Sequence, residues 1–394
     1  MRRSESRILT THVGSLIRPP DLQEFLAARR DGRAVDEAAF AACLERSVHD
    51  IVRQQAEAGL DVINDGELGK TISWSRYVLQ RMTGFEHRLR DPADPSFPQA
   101  TVGRDRREFA DFYRTYDPAQ GFSGMTGWHV TGPVAYKGLT EIQADIDRLK
   151  RALIGVSVEE AFMPAVAPAS VAPDRTDHYY KSDEDYLAAV ADALHVEYKA
   201  IVDAGFILQI DDAYLAITYE VMVPPGTFED YRRWAELRIE ALNHALRGIP
   251  EERTRYHVCW GSWNGPHVYD VALKDIAEII LKARVGGYCL EQANPRHEHE
   301  WHVWESTKLP PGRVLVPGVI SHSTNVVEHP ELVAERISRL ARLVGRENVI
   351  AGTDCGFAQG PFAQRVHPSI MWAKLRSLAE GAKLASRELW AGAA

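Results

Sequence analysis

Cysteine is scarce in this chain of 394 residues: Cys43, Cys259, Cys289 and Cys355 are all it has. Four such widely spaced cysteines in a chain this long make no disulfide framework and read as free thiols or metal ligands. Long apolar runs are missing too. No stretch approaches the ~18 uninterrupted apolar residues of a membrane span. The opening MRRSESRILTTHVGSLIRP lacks the apolar core of a signal peptide, so a cytoplasmic location is expected. Basic charge is in deficit, with 46 Lys and Arg against 55 Asp and Glu and a net charge of -9. That balance argues against nucleic acid or an anionic membrane as a partner. There is no G-x-G-x-x-G after a strand, no P-loop and no tandem repeat, which removes the common nucleotide-binding folds and solenoids.

What is present is an ordinary globular composition, 26% charged and 45% hydrophobic, and a recurring pattern. A short apolar run is followed by a polar or Gly-containing turn and then by an amphipathic helix. The runs are ILTTHVGS, LDVINDGE, VEEAFMPAVAP, FILQIDDA, YHVCWG, GGYCLEQA, VLVPGVIS and NVIAGTDCG. Helices such as SDEDYLAAVADALHVEYKAIVDAG, with Ser182 as N-cap and Gly205 at its stop, separate nearly all of them. Strand–helix alternation predicts parallel βαβ units, and eight of them close a (β/α)8 TIM barrel. An open doubly wound sheet is the runner-up. With no convincing linker, residues 1–394 read as one barrel domain with loop insertions. The segment 86–127, polar and aromatic with Pro92, Pro95 and Pro98, reads as an excursion, and WHVTGPVAY as a strand or hairpin arm. Cys43, in the helical pattern AAFAACLERSVHDIV, reads as a core residue.

Chemistry in such a barrel sits at the C-terminal ends of the strands. Those ends here carry His12 and Ser15, Asp65 and Glu67, Asp211 and Asp212, His257 and Cys259, Glu291, His322, and Asp354 and Cys355. Residues i and i+2 of a strand face the same side, so His257 and Cys259 project together in RYHVCWGSWNGPH. With Glu291 and Cys355 they offer one nitrogen, one oxygen and two sulfurs, a set that suits tetrahedral Zn2+. Singly, His257 and Cys259 also fit a barrel core. Cys289 shares a face with Glu291 and competes as a ligand or as packing. The loop start His297–Glu300 reads as substrate contacts, ligands or a solvated face, and Trp74 as part of a substrate wall.

The chain resembles the catalytic domain of the cobalamin-independent methionine synthase family, in a subfamily of short, single-module proteins. The likeness rests on five ordered signatures: THVGS at 11–15, DVINDGE at 61–67, LQIDDAYLA at 208–216, HVCW at 257–260 and TDCGF at 353–357. It implies a catalytic zinc on His257, Cys259, Glu291 and Cys355. It also implies that Ser15, Glu67 and Asp211 hold the amino-acid end of homocysteine, and that His322 transfers a proton. His12 and Trp74 join the expected substrate contacts. The implied partners are a small-molecule thiol and an alkyl donor, a methylated folate being one candidate. The second barrel of the long synthases has no room here, which leaves the donor open, and the loops GSWNGPH and ANPRHEHEW depart from them. The excursion and the C-terminal helices are candidate surfaces for a homo-oligomer.

Two thiolates and a carboxylate bring about three negative charges to the ion. Such a site favours alkyl transfer to a bound thiolate over activation of water, for which neutral ligand sets are commoner. The alternatives are epoxide–thiol ligation of the coenzyme M transferase type, a zinc-dependent C–S lyase or hydrolase, a structural zinc site, and a metal-free decarboxylase on the same architecture.

Overall fold

A computed structural model describes residues 1–89, 103–119 and 126–391. Eight parallel strands form its central sheet: Leu9–Thr10, Val62–Ile63, Glu160–Val166, Ile207–Asp212, Thr254–Val258, Gly287–Leu290, Val314–Ile320 and Ile350–Thr353. Each pairs with its sequence neighbour in the barrel. The first pairs with the eighth, and a parallel bridge from Thr11 to Val62 joins the first to the second. The sheet therefore closes into the expected (β/α)8 barrel. All eight predicted runs supply its strands, although the first two are only two residues long before the chain curls into loops.

The outer helices follow from local signals. Ser182 accepts from Asp185 N and starts Asp183–Asp203, and Thr227 and Asp230 close a capping box on Phe228–Ala245. Pro330 and Pro368 open Pro330–Val344 and Pro368–Leu389 at the position that needs no N–H. The C-terminal helical pattern is thus one helix of 22 residues. Cys43 is buried in the shell between helices and barrel, as expected.

The barrel interior is layered. Its floor is apolar, where Leu9, Cys289, Val314, Val316 and Ile350 pack together. Above it lies a buried arginine. Arg255 donates from Nε to Gln209 Oε1 at 2.8 Å, from Nη1 to Thr11 Oγ1 at 3.0 Å and from Nη2 to the His12 carbonyl at 3.0 Å. Its guanidinium also stacks on Phe162. Burying a charge is costly unless it is hydrogen-bonded, and each nitrogen of this one has a partner. It forms a rigid polar deck under the strand ends.

The excursion leaves the barrel as a hairpin. Phe85–Leu89 pairs antiparallel with Thr126–Val130, which also pairs with Thr176–Asp177, so WHVTGPVAY begins as a hairpin arm. Between the arms, Arg104–Glu108 and Ala110–Ala119 are helical. Pro92, Pro95 and Pro98 lie outside the described residues.

Candidate metal centre at the barrel mouth

Register places the predicted ligands side by side. Asp211 pairs with His257, and His257 with Cys289, across neighbouring strands. Cys289 packs with the apolar side chains of Leu9, Val314, Val316 and Ile350, whereas His257, Cys259 and Cys355 come together. Their ligand atoms lie within 4.8 Å of one another, and all three residues are buried. The two sulfurs are 3.6 Å apart. Two sulfurs on one tetrahedral zinc, each about 2.3 Å from it, stand about 3.8 Å apart, so this spacing fits. Gly261 N–H donates to Cys259 Sγ at 3.2 Å, while the Cys355 sulfur, burial and Glu291 hold the Cys259 thiol well above its ordinary value, so a cation is what would make it a thiolate.

Among the described residues, neither ring nitrogen of His257 makes a hydrogen bond of ordinary geometry. Burial pushes it down to about 3, so its imidazole is neutral, the form that ligates metal. Leaving such a group unpaired in the interior costs about 1–3 kcal/mol, which a bound ion offsets. These residues fit a zinc ion.

Glu291 stands beside this trio, against the Cys259 thiol. Its oxygens accept from Trp260 N at 3.0 Å and Asn294 Nδ2 at 2.8 Å. Asp354, unremarked as a supporting residue in the sequence, organises that corner. Its Oδ1 accepts from Gln292 N at 2.9 Å and Ala293 N at 2.8 Å, and its Oδ2 from Asn294 Nδ2 at 3.2 Å. Burial and the charge of Glu291 push Asp354 up to about 7. The sequence signal for it was its place directly before Cys355.

His322 is the second unpartnered imidazole. Among the described residues, neither ring nitrogen makes a hydrogen bond of ordinary geometry, and burial, helped by Arg365, pushes it down to about 3. Trp74 is half-buried and packs with Ala213, Cys259 and Cys355 in one apolar cluster. Ser15 reaches the same turn: its carbonyl accepts from Phe357 N at 2.8 Å, and its Oγ stands where a Cβ on Gly356 would.

Asp211 is buried and accepts from Gln209 Nε2 at 2.7 Å. Burial first, and then the charge of Glu67, push it well above the carboxylate range. Glu67 is held at φ 58°, a left-handed conformation that is strained for a non-glycine residue. Gly14, at φ 137°, faces it: a Cβ there would stand 2.6 Å from Glu67 Oε1. Only glycine permits that approach.

Other candidates lie elsewhere. His12 does not join the site: its Nε2 bonds Gln55 Oε1 at 2.7 Å and its Nδ1 accepts from Gly14 N at 3.2 Å, so it braces the first strand end. Asp212 accepts from Ser170 Oγ, Leu215 N and Tyr256 Oη, which ties it to the start of the helix Tyr214–Met222. His297 is clamped between Glu300 Oε2 at 2.8 Å and Asp270 Oδ2 at 3.1 Å. Glu298 pairs with Arg336, and His299 is exposed.

The excursion roofs the loop GSWNGPH. Trp263 Nε1 donates to Tyr113 Oη at 3.0 Å, Asn264 N to Tyr116 Oη at 2.9 Å and Val268 N to Asp105 Oδ1 at 3.2 Å. The abrupt turn after Cys259 is therefore a dock for a helix that arrives from the other side of the barrel.

The fold and the clustered ligands define a (β/α)8 barrel with a candidate metal centre at its C-terminal mouth. No protein-family profile matches the chain. It is 26% identical over 378 residues to the 2-hydroxypropyl-CoM lyase of Xanthobacter autotrophicus, covering 88% of this chain and 86% of that one. It is 23% identical over 383 residues to the methionine synthase of Sulfolobus acidocaldarius, covering 96% and 93%. The structure of a B12-independent methionine synthase from Shewanella, in complex with selenomethionine, superposes with a TM-score of 0.73 at 19% identity, covering 98% of this chain and 99% of that one. A putative vitamin-B12 independent methionine synthase from Listeria monocytogenes gives 0.64 at 21%, covering 96% and 98%. These likenesses run through nearly the whole chain and bear out its resemblance to the cobalamin-independent methionine synthase family. Among the described residues, no helix is long and apolar enough to cross a membrane.

Proposed function

We propose that the protein is a zinc-dependent alkyltransferase that moves an alkyl group, most simply methyl, onto the sulfur of a small-molecule thiol. The observation that carries this is the buried trio His257, Cys259 and Cys355, with a neutral, unpartnered imidazole and a sulfur spacing fit for zinc. Glu291 would complete the set. The relatives named methionine synthase support methyl transfer.

A thiol with a pKa of about 8.5 is mostly protonated at neutral pH. Zinc, when bound, supplies the positive charge that lets a substrate thiol ionise there. The chain's own residues do the rest. Asp354 and Asn294 hold Glu291 in place. Trp74 walls the sulfur pair and excludes water. Ser15, Glu67 and Asp211 position the polar end of the thiol, so that sulfur and alkyl carbon meet in line. His322, a neutral imidazole, takes up the proton that the substrate thiol releases and passes it to the leaving group. A methylated folate is one candidate donor.

A second reading, addition of the thiol to an epoxide, is favoured by the likeness to 2-hydroxypropyl-CoM lyase. It differs in the electrophile and keeps the same thiol chemistry. The test is metal analysis of the purified protein, followed by X-ray absorption at the zinc edge with homocysteine, coenzyme M and glutathione. One zinc per chain that gains a sulfur neighbour is the expected result. Absence of zinc, or a zinc edge unchanged by every thiol, overturns the proposal.

A further inference from the structure

The loop GSWNGPH supplies no metal ligand, yet it borders both reactive groups. Gly261 N–H lies on Cys259 Sγ at 3.2 Å, and the Ser262 backbone faces the His322 ring. The next two residues turn to the excursion. Trp263 Nε1 donates to Tyr113 Oη at 3.0 Å, and Asn264 N to Tyr116 Oη at 2.9 Å.

Two glycines make the seat for the Trp263 indole. A Cβ on Gly261 would stand 1.9 Å from Trp263 Cζ3. A Cβ on Gly265 would stand 2.1 Å from Trp263 Nε1 and 2.6 Å from Tyr113 Oη. Any larger residue at either position would push the ring out of its place. The His267 ring packs on the indole, with centroids 4.3 Å apart. Tyr113 is itself buried, and the Arg106 guanidinium lies 4.4 Å over its ring. The indole is thus held from its own loop and from the excursion together.

The contacts then return to the metal pair from the other side. Tyr116 bonds Arg365, whose Nε donates to Gln359 Oε1 at 2.8 Å. The Gln359 carbonyl accepts from Trp74 N at 3.0 Å, and Trp74 packs with Cys259 and Cys355. Both cysteines are closely covered, at 4% and 7% exposed.

A thiolate held in place reacts with the carbon that can reach it in line, so the walls around it select the electrophile. We propose that Trp263, pinned by Tyr113 of the excursion, sets the size of that electrophile and restricts it to a short alkyl group. This rests on the thiol-transfer reading and names the class of alkyl group that the same site accepts.

The test uses the full-length protein loaded with Co2+, whose absorption reports a sulfur on the metal. It takes up whichever of homocysteine, coenzyme M and glutathione changes the spectrum, and unbound thiol is removed. Iodomethane, iodoethane or 1-iodobutane is then added. In each reaction the sulfur–carbon bond forms as the carbon–iodine bond breaks and iodide leaves, and mass spectrometry follows the thioether of the added thiol. The methyl-to-butyl rate ratio should exceed that of the same thiol free in buffer by at least about tenfold. Trp263→Ala should bring the ratio down to the free-thiol value. Tyr113→Phe removes only the hydroxyl that the indole bonds, and should lower the ratio part of the way. A wild-type ratio equal to that of the free thiol, or a raised ratio that survives Trp263→Ala, overturns the size limit and leaves thiol transfer standing. A spectrum unmoved by every thiol overturns the thiol-transfer reading and this inference with it. Should Trp263→Ala fail to fold, the Tyr113→Phe result decides.

Discussion

Two pairs of buried histidines line the same end of this barrel, and they differ in one respect. Among the described residues, His257 and His322 make no hydrogen bond of ordinary geometry at any ring nitrogen. His12 and His297 have a partner at both. All four are at most 4% exposed, so burial does not separate them. Hydrogen bonding does. A satisfied buried histidine is a brace whose interactions are complete within the chain. An unsatisfied one is a cost the fold carries until a ligand arrives. The predictions that follow press on this division, from the residues that wait for a ligand to those that only hold the frame.

The largest effect belongs to the sulfur pair. Cys259→Ala and Cys355→Ala should each lower zinc affinity by about 100-fold or more and abolish alkyl transfer, since supporting residues alone account for 10–100-fold in such sites. Metal content after dialysis checks this. Full zinc in either variant would place the ion elsewhere and erase the division for His257.

Next comes His322. His322→Ala should keep one zinc per chain and lose about 10²–10⁴-fold in kcat, the range of a positioned group that carries a proton from thiol to leaving group. Loss of zinc in this variant would make His322 a ligand, and an unchanged kcat would return it to packing.

His297 represents the braced class. Burial pulls its pKa down, but the carboxylates of Asp270 and Glu300 outweigh that and raise it from 6.5 to about 10. Below pH 6.5 the folded and unfolded chains both bind the proton, and the clamp's full contribution is present. It is lost as pH climbs through about 10, where the folded imidazolium deprotonates. His297→Gln should therefore cost about 3 kcal/mol at pH 6, as for a broken buried pair, and much less at pH 10. Urea unfolding of both proteins at the two pH values reads this directly. An equal gap at both would mean that charge is not what holds the clamp.

Much of this was legible in the sequence, and the rest was not for physical reasons. Several barrel strands break from apolar to polar at their C-terminal ends, so His257, Cys259, Glu291, His322 and Cys355 stood out at the right places. The i, i+2 rule put His257 and Cys259 on one side because strands alternate. Partner identity was not readable. Nothing in THVGS says that His12 bonds Gln55, more than forty residues away along a helix. Lys70 lies three residues past Glu67, yet only the left-handed turn at Glu67 shows that the two side chains meet. The docking of the excursion on GSWNGPH joins Tyr113 to Trp263 across 150 residues, a contact no local pattern encodes.

Cys289 gives the smallest effect and the sharpest control. It sits two residues before Glu291 and was a rival for the metal. In the fold it packs on the barrel floor with Leu9, Val314, Val316 and Ile350. Burial pushes its thiol up to about 12, so it stays protonated, the inert form of a structural cysteine. Cys289→Ala removes one buried sulfur and leaves a small cavity, which should cost about 1 kcal/mol. Zinc content and alkyl transfer should not change. If this variant instead loses zinc as Cys355→Ala does, the ion lies deeper in the barrel than the sulfur pair, and the arginine deck under the strand ends does not bound the site.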